Sequence, residues 1–136
     1  MRTEKKHQLA QLRHWRVRGK VRGTKDRPRM SVCFTNKNIH VQFVDDNTGV
    51  TLAAASTTSK STSDRDKLAA NVASAKIIGK LAAETALAKG IKTVVFDRGG
   101  ARYHLSESKG KDGKRVVVLG KLATLADAAR EAGLKF

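Results

Sequence analysis

The sequence predicts an α/β fold: a three-stranded antiparallel meander extended by a parallel strand, two helices packed on the mixed sheet, and a disordered or extended basic N-terminal arm. Three observations carry that expectation. Apolar residues alternate with polar ones after Pro28 and again after Asn38, they recur at helical spacing from Leu68 and from Leu122, and a β-branched run, Ile91 to Phe96, lies between the two helical stretches.

The arm comes first. Of 136 residues, 28 are Lys or Arg and 12 are Asp or Glu, a formal charge of +16. Met1 to Arg29 holds 11 basic residues against 2 acidic ones, a net +9, whereas Met30 to Ser63 is neutral and the remainder moderately basic. With almost no apolar surface to bury, the arm cannot offset its own ordering entropy. In isolation it is expected to be largely disordered, or at most a frayed helix around Lys5 to Arg18.

Beyond Pro28, which is tolerated because it sits at a strand's entry, Met30, Val32 and Phe34 alternate with Ser31, Cys33 and Thr35. Asn36-Lys37-Asn38 supplies a turn, and Ile39, Val41 and Phe43 alternate with His40, Gln42 and Val44. Asn47-Thr48-Gly49 makes a second turn before a third strand, Val50 to Thr57. The polar link Ser56 to Ser63 leads to a Ser63-Asp66 pair that resembles a capping box. A helix comes next, through Leu68, Val72, Ala75, Ile78 and Ala82, and stops at Gly90. Ile91 to Phe96 is expected as a buried parallel strand reached by a right-handed crossover. Leu122, Leu125, Ala126 and Ala129 mark a second helix ending at Gly133. Between them, Leu105 to Leu119 reads either as a protruding hairpin turning at Lys111 to Lys114, where Asp112-Gly113 is a strong turn signal, or as a disordered loop.

Composition excludes several classes. The 40% hydrophobic share and 11 glycines are too apolar for a polybasic tail throughout. Lone Cys33 excludes an intramolecular disulfide and points to a reducing compartment. No apolar run reaches the roughly 18 residues of a membrane span, and the N-terminus shows no apolar segment of signal-peptide type. No small-molecule substrate, cofactor or metal is expected, since His7, His14, His40 and His104 show no zinc-site spacing.

The arm reads as a phosphate-binding tail, a membrane-surface patch, an organellar targeting segment or a solvated solubility tag. Leu9, Leu12 and Trp15 make only a short apolar face, too little for a membrane helix. Nucleic acid is favoured, because guanidinium forks suit phosphate and an aromatic ring stacks on a splayed base. The side chains at stake are Arg2, Lys5, Lys6, Arg13, Arg16, Arg18, Lys20, Arg22, Lys25, Arg27 and Arg29, with His14 and Trp15 among them. Asp97-Arg98-Gly99-Gly100 follows a strand's carboxyl end, where α/β sheets place ligands. It is either a phosphate-approaching loop or merely a tight turn with an Asp–Arg pair. Arg102, Tyr103 and His104 come next. His40, Gln42, Cys33, Ser31 and Thr35 form a polar face, either an RNA surface or a water-facing one. Asp45, Asp46, Asp97 and Asp127 keep open a two-metal nuclease, and a free-standing nucleic-acid chaperone is a third class. Neither a Ser/His/Asp, Cys/His nor a P-loop pattern exists, so the chain is expected not to be an enzyme.

Arg27-Pro28-Arg29-Met30-Ser31-Val32, Asn36-Lys37-Asn38-Ile39, Val44-Asp45-Asp46, Val94 to Gly100 with Tyr103-His104, and Leu125 to Leu134 closely resemble the bacterial-type large-subunit ribosomal protein eighteen family. The resemblance implies a small α/β domain with a basic extension that attaches 5S rRNA to 23S rRNA in the central protuberance, beside neighbouring 5S-binding ribosomal proteins, in a cytoplasmic or organellar ribosome. It assigns RNA contacts to the arm, to Asn36, Lys37 and Asn38, to His40 and Gln42, and to Arg98, Gly99, Gly100, Tyr103 and His104. On this basis residues 1–26 are a basic RNA-binding extension and 27–136 a single α/β RNA-binding domain with a family-atypical insertion at 105–119. The chain also departs from the family pattern at Phe34-Thr35, where Arg-Ser is common, and at His40, where Tyr is common. The insertion either touches rRNA or stands in solvent.

Overall fold

Strands with one apolar face need a second layer over it, and this chain supplies that layer from its own helices. The computed structural model describes residues 2–60, 62, 64–109 and 112–136. Its order is α1 (Thr3–Arg18), β1 (Arg29–Phe34), β2 (Ile39–Asp45), β3 (Val50–Ser56), α2 (Val72–Ala88), β4 (Val95–Asp97), β5 (Leu105–Lys109), β6 (Arg115–Leu119) and α3 (Lys121–Glu131). One sheet runs β3-β2-β1-β4, with β1 antiparallel to β2, β2 antiparallel to β3, and β4 parallel to β1. This is the expected mixed α/β architecture.

The alternating set Met30, Val32, Ile39, Val41 and Phe43 is fully buried. Ala75, Ile78, Ala82 and Ala86 of α2 and Leu122, Leu125 and Ala129 of α3 complete the core. The small residues of α2 have a purpose, because a Cβ at Gly79 would overlap the Leu125 carbonyl oxygen and meet Ala128 Cβ at 3.0 Å. Helix α3 therefore lies on the backbone of α2.

Two elements differ from the sequence expectation. Ser63 lies outside the described residues, and Arg65–Lys67 beyond it is a single 3₁₀ turn. The helix begins only at Val72, where Asn71 Oδ1 accepts from Ser74 N–H at 2.7 Å and Ser74 Oγ accepts from Ala69 N–H at 3.1 Å. Asn71 is thus the N-cap, while Ser74 Oγ ties the preceding turn at Ala69 to the helix start. Strand β4 is shorter than Ile91 to Phe96 because the chain's end takes the preceding residues: Val94 N–H donates to Lys135 O and Lys135 N–H to Lys92 O, both at 3.0 Å.

Residues 105–119 form the hairpin, paired from Leu105↔Leu119 to Lys109↔Arg115. Asp112 and Gly113 lie in its turn, with Gly113 at φ +71°, while Lys111 lies outside the described residues. In the full chain the arm forms α1, which buries none of its residues. Disorder is the expectation for the arm on its own, and a helix without a buried face has no packing to hold it there.

Gly79→Ala tests the helix contact. Alanine gains about 1 kcal/mol of helix propensity, but overpacking against a backbone carbonyl costs about 1–3 kcal/mol. The urea midpoint should fall with an unchanged slope and unchanged far-ultraviolet circular dichroism. A raised midpoint would show that α3 is not seated on Gly79.

Candidate nucleic-acid interface

Arg29 opens β1, and its neighbours in space decide what it does. Its Nε and Nη2 donate to Asp46 Oδ2 and Oδ1 at 2.8 and 2.9 Å, and its Nη1 donates to Asp97 Oδ2 at 3.0 Å. The side chains of Arg29 and Asp97 are 7% and 9% exposed. Arg29 is therefore corrected from a candidate RNA contact to a buried ion-pair centre, because its guanidinium is closed off from the surface and gives three of its five N–H donors to two carboxylates. The hydrogen bond from Arg29 holds the Asp46 carboxyl down at about 2 against an ordinary 3.8, with the Gly23 N–H and the positive charges of Arg29 and Arg18 adding to it and burial opposing it. The same bond to Asp46 raises Arg29 further, against desolvation.

The turn after β4 is built on this pair. Asp97 does not pair with Arg98; its Oδ1 accepts from Gly99 N–H at 3.0 Å while its Oδ2 faces Arg29. Ala101 N–H donates to Arg98 O at 2.9 Å, with Gly99 and Gly100 at φ +57° and +84°. Both central residues are left-handed, which is why two glycines are needed. A Cβ at Gly99 would also lie 2.5 Å from Val32 O. Arg98 is left exposed on the outside of the turn.

The arm meets this turn. A Cβ at Gly100 would lie 3.7 Å from His14 Nε2, so α1 passes beside the glycines. Lower down, Gly23 N–H donates to Asp46 Oδ2 at 2.8 Å and Asp46 N–H returns to Gly23 O at 3.1 Å. Gly23 is buried, whereas Arg2, Lys5, Lys6, Arg13, Trp15, Arg16, Arg18, Lys20, Arg22, Lys25 and Arg27 are exposed. Arg27 Nε reaches Val94 O at 3.4 Å.

The turn from β1 to β2 is built differently. Asn36 and Lys37 are exposed, but Asn38 is half-buried, its Oδ1 accepting from Thr57 Oγ1 at 3.0 Å and its backbone clasped by Thr35. Asn38 serves the turn. On the sheet face Cys33 pairs with His40 and Ser31 with Gln42. Gln42 and Cys33 are exposed, while His40 Nδ1 shares a 2.8 Å hydrogen bond with Ser56 Oγ. Arg102, Tyr103 and His104 are exposed beyond the glycine turn.

Two further residues position Tyr103 that no local pattern singles out. Arg130 Nη1 donates to Tyr103 Oη and to Asp127 Oδ1, each at 3.3 Å, and its guanidinium lies 4.5 Å over the Phe136 ring. Phe136 in turn stacks on Phe96 at 5.0 Å. The signal is long-range, spread over α3, β4 and the chain's end.

The four carboxylates of the nuclease reading do not gather round a common point. Asp46 and Asp97 converge on a guanidinium, Asp127 is on Arg130, and Asp45 accepts from Asn47 N–H and Thr48 Oγ1 at 2.9 Å. Among the described residues no three His, Cys, Asp or Glu side chains cluster as metal ligands, and no helix is long and apolar enough to cross a membrane. The family model for ribosomal L18 of archaea, bacteria, mitochondria and chloroplasts matches residues 4–136.

Asp46 gives the site a pH signature. A carboxyl depressed in the folded state adds stability above its unfolded value of 3.8 and loses it as pH falls through about 2. Asp46→Asn should therefore be less stable than the parent at pH 7, with the two urea midpoints converging as pH drops from 4 toward 2. A gap of constant size over that range would show that the Asp46 charge contributes nothing.

Proposed function

The chain belongs to the ribosomal L18 family, which makes it a structural, rRNA-binding constituent of the large ribosomal subunit, and from that premise we propose that it binds 5S rRNA and attaches it to 23S rRNA in the central protuberance. The family is structural and not an enzyme family. The observation that carries the RNA assignment is the placement of α1, a basic helix with no buried residue, beside the exposed Arg98-Gly99-Gly100 turn.

In this reading α1 supplies phosphate contacts through Arg2, Lys5, Lys6, Arg13, Arg16 and Arg18, continued by Lys20, Arg22, Lys25 and Arg27. Trp15 and His14 offer rings to unstacked bases. The folded body adds shape: Arg98 and Arg102 at the glycine turn, Tyr103 held by Arg130, His104, Asn36 and Lys37 at the hairpin turn, and His40 and Gln42 on the sheet. Neighbouring 5S-binding proteins are the expected protein partners. A-form RNA hides its base edges in a deep groove, so readout is mostly of phosphate and shape.

Filter binding to 5S rRNA tests the assignment. About nine neutralised phosphates would give a slope of log K against log salt of roughly −6 to −8. Removing residues 1–20, which leaves the Gly23 anchor in place, should reduce that slope steeply while the body keeps its cooperative melting. Binding indifferent to salt would reject the arm as the main phosphate contact. Arg98→Ala should cost about 1.5–3 kcal/mol, the worth of a charge-assisted hydrogen bond; an unchanged affinity would remove Arg98 from the surface.

A further inference from the structure

We infer that the Arg29 guanidinium is a positioning joint that couples the root of the arm to the Arg98-Gly99-Gly100 turn, so that the two elements take up their places together. The inference rests on the RNA reading for its purpose, though not for its geometry. One unbroken chain of hydrogen bonds links them. Gly23 N–H donates to Asp46 Oδ2 at 2.8 Å, Asp46 is forked by Arg29 Nε and Nη2, Arg29 Nη1 reaches Asp97 Oδ2 at 3.0 Å, and Asp97 Oδ1 accepts from Gly99 N–H at 3.0 Å. Every link but the two terminal amides is ionic.

A guanidinium suits this role because it is planar and rigid: its fork on Asp46 fixes the direction in which Nη1 points. Tilting one carboxylate therefore misaligns the other. Two of its three side chains are closed to water, Arg29 at 7% and Asp97 at 9% exposed, while Asp46 is 23% exposed, so a displaced Asp97 is not readily replaced by solvent. Sterics act in the same sense. Gly23 is pressed so close to Arg29 N and Val44 O that a Cβ would overlap both, and Gly99 is seated equally tightly on Val32 O. Arm root and glycine turn are thus clamped onto positions 29 and 32 of one strand, with the charged joint between them.

The functional consequence is preorganisation. An arm that orders on RNA spends less entropy if its root is already fixed, and here the element that fixes it also fixes the turn. Coupling of this kind is reciprocal: whatever loosens the turn must loosen the arm root by the same factor.

Native-state hydrogen exchange on the full chain tests the inference. In the unmodified protein, the Gly23 and Gly99 amides should follow one common opening curve as urea is raised; two separate curves would overturn the coupling. Asp46→Asn should speed exchange at Gly99, which Asp46 does not touch, by about tenfold, a coupling of ordinary size. Asp97→Asn should do the same at Gly23, with the β2–β3 amides unchanged. Exchange unaltered at the remote glycine in either variant would refute it. Titrating the unmodified protein with 5S rRNA separates the two ideas: no salt-dependent binding would sink the RNA reading alone, whereas binding together with independent openings would sink the coupling alone.

Discussion

One arginine and two aspartates from three different segments organise this molecule. Arg29 opens the central strand β1, Asp97 closes the parallel strand β4, and Asp46 comes directly after β2. Taking these charges out of water costs several kcal/mol per ion, which their attraction offsets only where the geometry is good. Here the Arg29–Asp46 contact is bidentate and both Asp97 oxygens are engaged, so the geometry is good and the net energy need not be large. The specificity is what matters. The β4–β1 register and the path of the chain at Gly23 are tied together by these bonds, all of which the one arrangement satisfies at once.

The same cluster shapes the electrostatics. Asp97 and Asp45 are buried, and Asp46 is half-buried, all three accepting hydrogen bonds within the fold. Arg29 is the one basic residue among the buried polar side chains of the described residues. Negative charge is thus drawn inward while most positive charge stays outside. The surface ion pairs Lys67–Asp64, Lys80–Glu84 and Arg115–Glu107 are exposed and 3.4–3.9 Å apart, and such pairs contribute little. The face presented to a polyanion is therefore more basic than the net charge implies, and α1 carries much of it on a helix that has no other packing role.

What could be read from the sequence was what depends on local period. Alternation at Met30–Phe34 and Ile39–Phe43 marked the sheet's buried face, and Ala-rich helical spacing marked α2, because each signal repeats within a few residues. The start of α2 was not legible, since Ser63-Asp66 resembles a cap by residue type alone, whereas the helix is capped eight residues on from Ser63, where Asn71 Oδ1 accepts from Ser74 N–H. Arg29 was misread for a related reason. In a segment with so many cations nothing local distinguishes the one that turns inward; its partners lie 17 and 68 residues away. The glycine pair at positions 99 and 100 admitted a phosphate loop or a turn. The left-handed dihedrals, and the Gly99 amide already given to Asp97, account for the glycines by the turn, leaving Arg98 as the group that faces outward.

The hairpin is held at its root rather than along its length. Gly120 N–H donates to His104 O at 2.8 Å, so the residues flanking β5 and β6 are already joined at the root. A segment closed between two points held this near costs only the entropy of its own closure, which grows slowly with length. Its own stability is another matter. A two-stranded ribbon is marginal in water, and this one leaves Leu105, Val116, Val117 and Val118 half exposed. The cross-strand register, from Leu105↔Leu119 to Lys109↔Arg115, therefore rests on backbone pairing and β-branched propensity rather than on a core. The ribbon can vary or melt while the Arg29 centre, on the far side of the glycine turn, keeps the sheet and the arm root in place.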